Sequence, residues 1–496
     1  MITLINFIIF AAKLKFYDIM LLLKIFLKRR GNFMKNIKIS LIAVITATSF
    51  SSLGATPLEE AIKDVDVSGS LRYRYDSFVP NFKDGESGTL YESDLSGSQR
   101  HEFRALLTTS VSLGDGFKAV GTLNYNPDGE TDGGFYGGAQ TKPPIYLEEA
   151  YLRYDSNPIF ATSILLGRQR LGTIWTDNDS LSGSVGMKAQ LINKALPGVT
   201  LTAFAVDSVN DDGDFIGAGL GKFANGSYGE YDETNDAGTA FLAGKYPTMK
   251  DAIFAQNLYG AAVLLDYGES VGLTGQAWFG YVNDRMAMYA VDLGYTLDFK
   301  DAGSLSVQAQ YLANNRLSYL KSAEFIGAAG GEMAGGALYT IATGVEFLGF
   351  DASVGYTAYG KKDKFSVNVL EDMGDIITAG EEIQNTSGSS LHGDIGANQF
   401  VFGGLGYTIA DLVRVGVDYA WGQTKRDGVT VGAESKNIKD KKQEIVGRLE
   451  YKHSDNLAFS GFYSYLTHKS DEFTDSNGDK QTQKQNSIRF EARYDF

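Results

Sequence analysis

The chain lacks cysteine, has only 8 prolines among 496 residues, and contains no apolar run beyond residue 55 that could cross a bilayer as a helix. The absence of cysteine excludes a disulfide framework and is compatible with export to an oxidising compartment. Basic residues are also few, since 45 Lys and Arg stand against 60 Asp and Glu, which gives a formal net charge of −15. Nucleic acid requires basic patches, so it is not an expected partner.

Residues for catalysis are also scarce. The chain has four histidines, His101, His392, His453 and His468. His453 and His468 lie among serines near predicted strand ends, which is the expected background in a serine-rich chain and not an assembled nucleophile and base. No helical zinc-protease motif is present. The sequence therefore predicts neither an enzyme nor an organic cofactor.

Glycine and aromatic residues are abundant, with 58 Gly, 30 Phe and 28 Tyr, while the mean hydropathy is only −0.15. This combination is typical of a transmembrane β-barrel, in which alternation dilutes the apolar residues. The last nine residues show it most clearly. Phe490, Tyr494 and Phe496 fall on one face of a strand, and charged residues occupy the other face. A terminal strand that ends in Phe is similar to the assembly signal that barrel insertion machinery recognises.

The same alternation recurs along the rest of the chain, and long polar connections alternate with short turns such as Gly114-Asp115-Gly116. We count eighteen strands, and sixteen is the alternative. The predicted ranges are 64–76, 100–113, 116–126, 145–155, 160–169, 183–193, 198–207, 254–267, 271–281, 285–299, 303–313, 336–348, 350–360, 397–410, 412–423, 441–453, 456–468 and 484–496. The predicted fold is all-β, a closed transmembrane antiparallel β-barrel with both ends in the periplasm.

The N-terminal region predicts export. Residues 34–38 form a short basic start with Lys35 and Lys38, residues 39–50 are apolar or small, and Ala55 ends a small-residue stretch. Residues 34–55 are therefore predicted to be a signal peptide and residues 56–496 the mature barrel. We expect translation to start at Met34 and residues 1–33 to be an artefact upstream of it; an inner-membrane anchor is the alternative. Removal of residues 1–55 leaves 37 basic and 59 acidic residues, a formal charge of −22.

Several stretches resemble the Campylobacter-type major outer membrane porin family. The most specific is the predicted mature start, Thr56-Pro57-Leu58-Glu59-Glu60-Ala61-Ile62-Lys63-Asp64-Val65-Asp66-Val67-Ser68-Gly69. Others are Ile174-Trp175-Thr176-Asp177-Asn178, Ala203-Phe204-Ala205-Val206-Asp207-Ser208 and Phe459-Ser460-Gly461-Phe462-Tyr463-Ser464-Tyr465. The resemblance implies an eighteen-stranded, trimeric, cation-favouring porin with a calcium ion near its constriction, abundant at the bacterial cell surface.

A pore constriction can be predicted from charged residues and one loop. We expect inward-facing arginines on the early strands, and the loop 170–182 carries Leu171, Ile174 and Trp175, which should anchor it inside the lumen. Acid on that loop opposite basic residues on the wall would create a transverse field that sorts solutes. The alternative is that each arginine only pairs with a neighbouring carboxylate such as Glu102. The predicted constriction residues are Arg72, Arg74, Arg104, Glu149, Arg153, Arg168, Asp177 and Asp179.

Calcium is the one metal that the sequence suggests. Carboxylates are the ligands that calcium prefers, and the resemblance implies ligands in the two loops that hold Asp177, Asp179 and Asp214. The spacing after Asn178 departs from the family pattern. Simple solvation of an acidic cluster is the alternative.

The predicted function is that of an outer-membrane porin: a water-filled channel for passive diffusion of ions and small hydrophilic solutes, mildly selective for cations. Expected partners are outer-membrane lipid, the barrel insertion machinery and two further copies in a homotrimer. The alternative is an adhesin or structural protein that uses the long loops 208–251, 316–335 and 360–396, which hold no recognisable binding motif.

Overall fold

Alternating apolar and polar residues form eighteen antiparallel strands in the computed structural model, which describes residues 65–81, 98–125, 145–179, 181, 183–210, 253–329, 332–431, 434–474 and 480–496. The strands are β1 Val65–Asn81, β2 Ser98–Gly114, β3 Phe117–Tyr125, β4 Ile145–Asp155, β5 Thr162–Arg170, β6 Val185–Leu196, β7 Val199–Asn210, β8 Leu258–Tyr267, β9 Leu273–Val282, β10 Met286–Asp298, β11 Gly303–Arg316, β12 Ala337–Phe347, β13 Phe350–Ser366, β14 Asp394–Ile409, β15 Val413–Val431, β16 Glu434–Lys452, β17 Leu457–Thr474 and β18 Lys480–Asp495. The count of eighteen is confirmed, and the alternative of sixteen is wrong. The predictions for residues 1–33, residues 34–55 and Asp214 lie outside the described residues.

The barrel closes through its last strand. Each strand pairs with the next, and β18 pairs with β1, so no strand edge is left open. At the seam the Phe496 amide donates to the Gly69 carbonyl at 3.0 Å, and the Gly69 amide donates back to Phe496 at 2.9 Å. A Cβ at position 69 would lie 2.5 Å from the Phe496 ring, so only glycine fits beneath that ring. The terminal aromatic residue thus completes the closure.

Two faces of the wall differ in chemistry. On the outward face large apolar side chains are exposed, among them Phe490 (43%), Tyr494 (40%) and Phe496 (45%). On the inward face polar and charged side chains are buried, such as Arg72 and Ser70. This arrangement is that of a barrel with a lipid-facing exterior and a polar lumen. The described residues include two short α-helices, α1, Gly268–Val271, and α2, Ala323–Ala329. No helix among the described residues is long and apolar enough to cross a bilayer.

Two connections fold into the barrel. The first inner segment, residues 171–184 between β5 and β6, buries Leu171, Ile174 and Trp175, as the sequence predicts. The second inner segment, residues 367–393 between β13 and β14, buries Val369 and Leu370 among other residues. The prediction that 360–396 forms a long external loop is therefore wrong, because its apolar residues pack inside. The loop 316–335 is also partly buried, whereas most of 208–251 lies outside the described residues.

Four strands next to the seam are longer than predicted. β15 ends at residue 431, whereas its predicted end is residue 423. β16 begins at residue 434, whereas its predicted start is residue 441. The apolar alternation stops where the strands leave the region in contact with lipid, but backbone pairing continues. The extra residues are mostly polar, so the hydrophobic pattern could not report them. β15, β16, β17 and β18 consequently project beyond the lipid at the end of the barrel opposite the short turns, which we call the long-loop end.

Candidate pore constriction

An arginine-rich surface lines the lumen where β18, β1 and β2 meet. Residues that lie directly opposite one another in neighbouring strands share a face, and three such rows of inward-facing residues are stacked here. From the short-turn end outward, the rows are Arg493–Arg72–Arg104, Glu491–Arg74–Glu102 and Arg489–Asp76–Arg100. We call these nine residues the arginine wall. The first row is entirely basic, and each of the other two rows mixes arginine with carboxylate, so the all-arginine row has carboxylates in the row next to it.

Arg72 lies at the centre of this wall and is 1% exposed. Its guanidinium nitrogens lie 3.6 Å from Glu102, 3.8 Å from Asp179 and 3.9 Å from Glu491. Arg74 pairs more closely with Glu491, at 2.8 Å. The structure thus brings Arg72, Arg74 and Arg104 together as predicted, and it adds the carboxylate partners that the alternative reading requires. Both readings hold at once, because a paired arginine can still face the lumen.

The first inner segment reaches across to the arginine wall. Arg493 Nη1 lies 3.1 Å from Asp179 Oδ1, and Arg104 Nη1 donates to the Leu181 carbonyl at 2.7 Å. Asp177 accepts the Asp179 amide at 2.8 Å, which shapes the tip of the segment. The acid of the loop therefore touches the arginines directly at this point, whereas the sequence predicted acid and base facing one another across a gap.

The electrostatics of Asp179 follow from these contacts. Burial by itself raises the pKa of Asp179, but the Leu181 amide and the guanidinium groups of Arg493 and Arg72 favour the charged form more strongly. The net result holds the pKa of Asp179 below its ordinary value. This carboxylate is consequently ionised under all physiological conditions.

A second charged cluster lies at the base of the same segment. A β-bulge in β4 turns two successive carboxylates inward, Glu148 and Glu149, where regular alternation would allow only one. Glu149 accepts the Thr122 hydroxyl at 3.0 Å and the Arg170 amide at 3.1 Å. Glu148 lies 3.5 Å from the Arg170 guanidinium. Glu149, one of the predicted constriction residues, thus lies at the base of the first inner segment. Arg170 and Glu148 are further members of this charged cluster.

Two predicted arginines lie elsewhere. Arg168 is directly opposite Met187, which is 50% exposed, so Arg168 belongs to the outward face; its inward placement is wrong because β5 has the opposite phase. Arg168 donates to the Glu148 carbonyl at 2.7 Å. Arg153 pairs with Asp155 at 2.8 Å beside a short turn, and it contributes to the rim of the barrel rather than to the constriction.

The two inner segments are joined by a buried carboxylate. Glu371, 1% exposed, accepts the Ser184 amide at 2.7 Å, the Ser184 hydroxyl at 2.6 Å and the Asp177 amide at 3.1 Å. The Leu370 amide also donates to the Trp175 carbonyl at 2.7 Å. Burial, reinforced by the nearby Asp177, raises the pKa of Asp372, the next residue along the second segment. The constriction is therefore a joint product of both segments.

Wall residues hold the other end of the second inner segment. The buried Glu444 on β16 accepts three successive backbone amides, from Glu381 at 3.1 Å, Glu382 at 3.0 Å and Ile383 at 3.1 Å. Lys442, on the same strand, donates to the Ser387 carbonyl at 2.6 Å. On the far side the Ile377 amide donates to Gln310 of β11 at 2.7 Å. The segment accordingly crosses the lumen from β11 to β16.

The residues suggested for calcium are only partly assembled. Among the described residues, no group of three or more His, Cys, Asp or Glu side chains is arranged to hold a metal ion. Asp179 already contacts two guanidinium groups, which compete with a cation for its oxygens. Asp214, the third predicted ligand, lies outside the described residues. The described part of the chain thus supplies two carboxylates and no complete site.

One short run matches the Gly-x-Ser-x-Gly pattern of serine hydrolases. It spans residues 268–272 and forms the helical turn α1 between β8 and β9. The Ser270 hydroxyl donates to the Tyr267 carbonyl at 3.3 Å. The histidines contact other groups, namely Tyr73, Asp372, Tyr451 and Asp440. Within the described residues, this serine therefore has no imidazole base.

The predicted constriction residues include only Arg72, Arg74 and Arg104 of the nine residues in the arginine wall, and none of the second inner segment. Arg489, Glu491 and Arg493 were visible as the charged face of the last strand, but they join Arg72 only once β18 closes onto β1. Pairing the last predicted strand with the first would have predicted their position beside Arg72. Glu371 and Glu444 carry no comparable signal, since nothing in their neighbourhood distinguishes them from solvated acids.

Comparisons with known proteins agree with this geometry. The family model described as Campylobacter major outer membrane protein matches residues 34–496. Among solved structures the chain is similar to Pseudomonas aeruginosa OpdQ, with 14% identity, a TM-score of 0.55 and coverage of 88% of this chain and 100% of that one. Acinetobacter baumannii OccAB3 is similar at 10% identity, with a TM-score of 0.57 and coverage of 87% and 100%. These structures share the fold. No curated protein matches the chain.

Proposed function

Because the chain belongs to the Campylobacter major outer membrane protein family, we propose that this outer-membrane porin passes ions and small hydrophilic solutes by passive diffusion and mildly prefers cations. The observation that carries the proposal is the pairing of the arginine wall. Arg72, Arg74 and Arg493 each lie within 4 Å of a carboxylate, so part of the positive charge of the wall is locally compensated. The chain as a whole has an excess of acid, which concentrates cations near the pore.

The experiment that tests the preference is the reversal potential across a salt gradient for the variant Asp177→Asn/Asp179→Asn. Loss of Asp179 removes one negative charge and also leaves Arg72 and Arg493 without that partner. We expect a clear shift towards anions at low salt that fades as salt rises, since the screening length falls from about 30 Å at 0.01 M to about 3 Å at 1 M.

The matched control is Asp115→Asn/Asp411→Asn, which removes the same charge from exposed residues of two short turns. Both positions have positive φ, and Asn tolerates that conformation. The control should leave the reversal potential near the wild-type value. Equal potentials for all three proteins would refute the role of the inner segment in selectivity.

Three further parts of the proposal concern partners. We expect a homotrimer, which would give conductance steps in threes in a planar bilayer.

We expect calcium to bind through Asp177, Asp179 and Asp214. A calcium-dependent rise in melting temperature that is absent from the double Asn variant would support this. We expect the insertion machinery to require Phe496, so Phe496→Asp should reduce surface levels while export continues.

Adhesion through the long loops is the weaker alternative. Residues 367–393 lie inside the barrel and are not available to an external partner. Adhesion through the remaining predicted loops, 208–251 and 316–335, stays a prediction. Transport through the pore does not exclude it.

A further inference from the structure

Four lysines lie together on the outward face at the long-loop end of β15, β16 and β17. Lys441 is directly opposite Lys469, and Lys425 is directly opposite Lys439. All four side chains are exposed. The row that contains Lys441 lies two residues beyond the row of Trp421, which is 55% exposed on the same face. At about 3.4 Å per residue, this lysine surface begins roughly 7 Å beyond the aromatic residues that face lipid.

None of these four lysines forms an ion pair with a described carboxylate, whereas Lys362 and Lys364 on β13 pair with Asp427 and Glu332. Like charges directly opposite in adjacent strands destabilise a sheet. Two such pairs on one face form a local positive cluster in a chain whose net charge is −15. Binding of an anion from outside the protein would relieve the repulsion between these lysines.

An apolar cleft lies on the neighbouring strands β13, β14 and β15, closer to the short-turn end than the lysines. It has a volume of about 550 Å³ and is lined on the outward side by Val354, Val401, Leu405, Val417 and Tyr419. Its floor is Gly403, where a Cβ would lie 2.4 Å from the Ser353 carbonyl oxygen. The absence of a side chain there leaves a gap between apolar neighbours. The cleft extends to Trp421, so it meets the lysine surface at the level of the aromatic residues.

Cations above and an apolar cleft below match a lipid that carries phosphate on its head group and acyl chains beneath it. We propose that the lysine surface and this cleft together bind a phosphate-bearing, multiply acylated lipid of the outer leaflet. The lysines contact the phosphates, and one acyl chain occupies the cleft beside Gly403. Basic surface residues next to the bilayer attract anionic lipid head groups in this way, with an effect that adds for each lysine. Neither the pore nor the two inner segments contribute to this lipid site.

The test is a titration of the detergent-solubilised full-length protein with fluorescent diphosphoryl lipid A. The variant Lys439→Gln/Lys441→Gln/Lys469→Gln should bind roughly a hundredfold more weakly than the wild type. The matched control, Lys194→Gln/Lys300→Gln/Lys452→Gln, removes the same charge from exposed lysines at the short-turn end and should bind like the wild type. Val417→Trp fills the cleft without changing charge and should also weaken binding.

Two further arms separate the sources of phosphate. Lipid A without phosphate should bind wild type and the lysine variant equally weakly, and millimolar inorganic phosphate should not displace the bound lipid. Equal binding of lipid A by all proteins would overturn the proposal, as would complete displacement by inorganic phosphate. A change in oligomeric mass of the lysine variant, with lipid binding unchanged, would overturn it in favour of a contact between copies of the chain.

Discussion

The two inner segments narrow the same lumen but are held there by different means. The first, residues 171–184, is fixed by its own side chains: Trp175 is 1% exposed and its ring centroid lies 6.2 Å from that of Trp278 on the wall. The second, residues 367–393, also buries apolar side chains of its own, such as Val369 and Leu370, and in addition wall side chains bind its backbone. Glu444 takes three of its amides and Lys442 takes a carbonyl.

This difference teaches where a sequence signal for an inward loop resides. A loop that supplies its own apolar anchor carries the signal within itself, as Leu171, Ile174 and Trp175 do. The wall contacts of the second segment add no signal within the segment itself, because Glu444 and Lys442 lie elsewhere in the chain. Glu444 is 61 residues beyond Ile383, on a strand that pairs with β15 and β17.

The largest effect is expected when the anchor of the first segment is removed. Trp175→Ala should destabilise the packing of residues 171–184 by about 3–5 kcal/mol, the usual cost of deleting a buried Trp. Single-channel conductance should rise because the segment no longer holds its position. Trp421→Ala is the matched control, since that side chain is 55% exposed on the outward face. Unchanged conductance in Trp175→Ala would mean that hydrogen bonds alone hold the first segment.

The second segment should respond instead to a change in the wall. Glu444→Ala leaves three backbone amides without their acceptor inside the barrel. Removal of one partner of a buried charged interaction costs about 3–5 kcal/mol, of which relaxation of the loop recovers a part. Limited proteolysis should then cut residues 376–390 faster than in the wild type. Glu450→Gln, on the same strand with a 51% exposed side chain, should be cut at the wild-type rate.

The link between the segments can be measured with a double-mutant cycle. Ser184→Ala removes the hydroxyl that donates to Glu371 at 2.6 Å, and Glu371→Gln removes the charge of the acceptor. If the segments act as one unit, the two changes should be non-additive in free energy of unfolding by about 0.5–3 kcal/mol. Strict additivity would show that each segment holds its place independently.

The smallest effects concern pH and have opposite signs in the two segments. Asp179 has a lowered pKa, so its ionised form stabilises the fold above its ordinary pKa of 3.8, and this contribution is lost as pH falls through the lower folded value. Asp372 has a raised pKa, so its ionised form destabilises the fold at neutral pH, and that penalty disappears in acid.

Asp179→Asn should therefore lower the stability of the first segment at pH 7 and have little effect at pH 3. Asp372→Asn should stabilise the second segment at pH 7, and the gain should likewise vanish at pH 3. Each effect should be about 1 kcal/mol or less, because both side chains retain contact with solvent, which screens their charge. Urea titrations followed by tryptophan fluorescence at the two pH values provide the measurement. Effects of the same sign would contradict the assignment of causes to the two pKa shifts.

Much of the wall could be predicted from local pattern. The alternation around Leu71, Arg72 and Tyr73 reports the lipid on one side and the lumen on the other, so strand count and faces follow directly. Arg168 shows the limit, since the phase of β5 cannot be read from a short run with consecutive apolar residues such as Ile164-Leu165-Leu166. Neither can the pairing of the last strand with the first, which places Arg493 beside Arg72.

The sequence by itself determined the barrel, the eighteen strands, the outer-membrane class and the first inner segment, because each depends on the chemistry of near neighbours in the chain. Only the tertiary structure decided the arginine wall, the burial of residues 367–393 and the lysine surface. Each of these arises from residues far apart in sequence that closure and register bring together. Glu371 and Ser184, 187 positions apart, meet at 2.6 Å, and no local pattern encodes that contact.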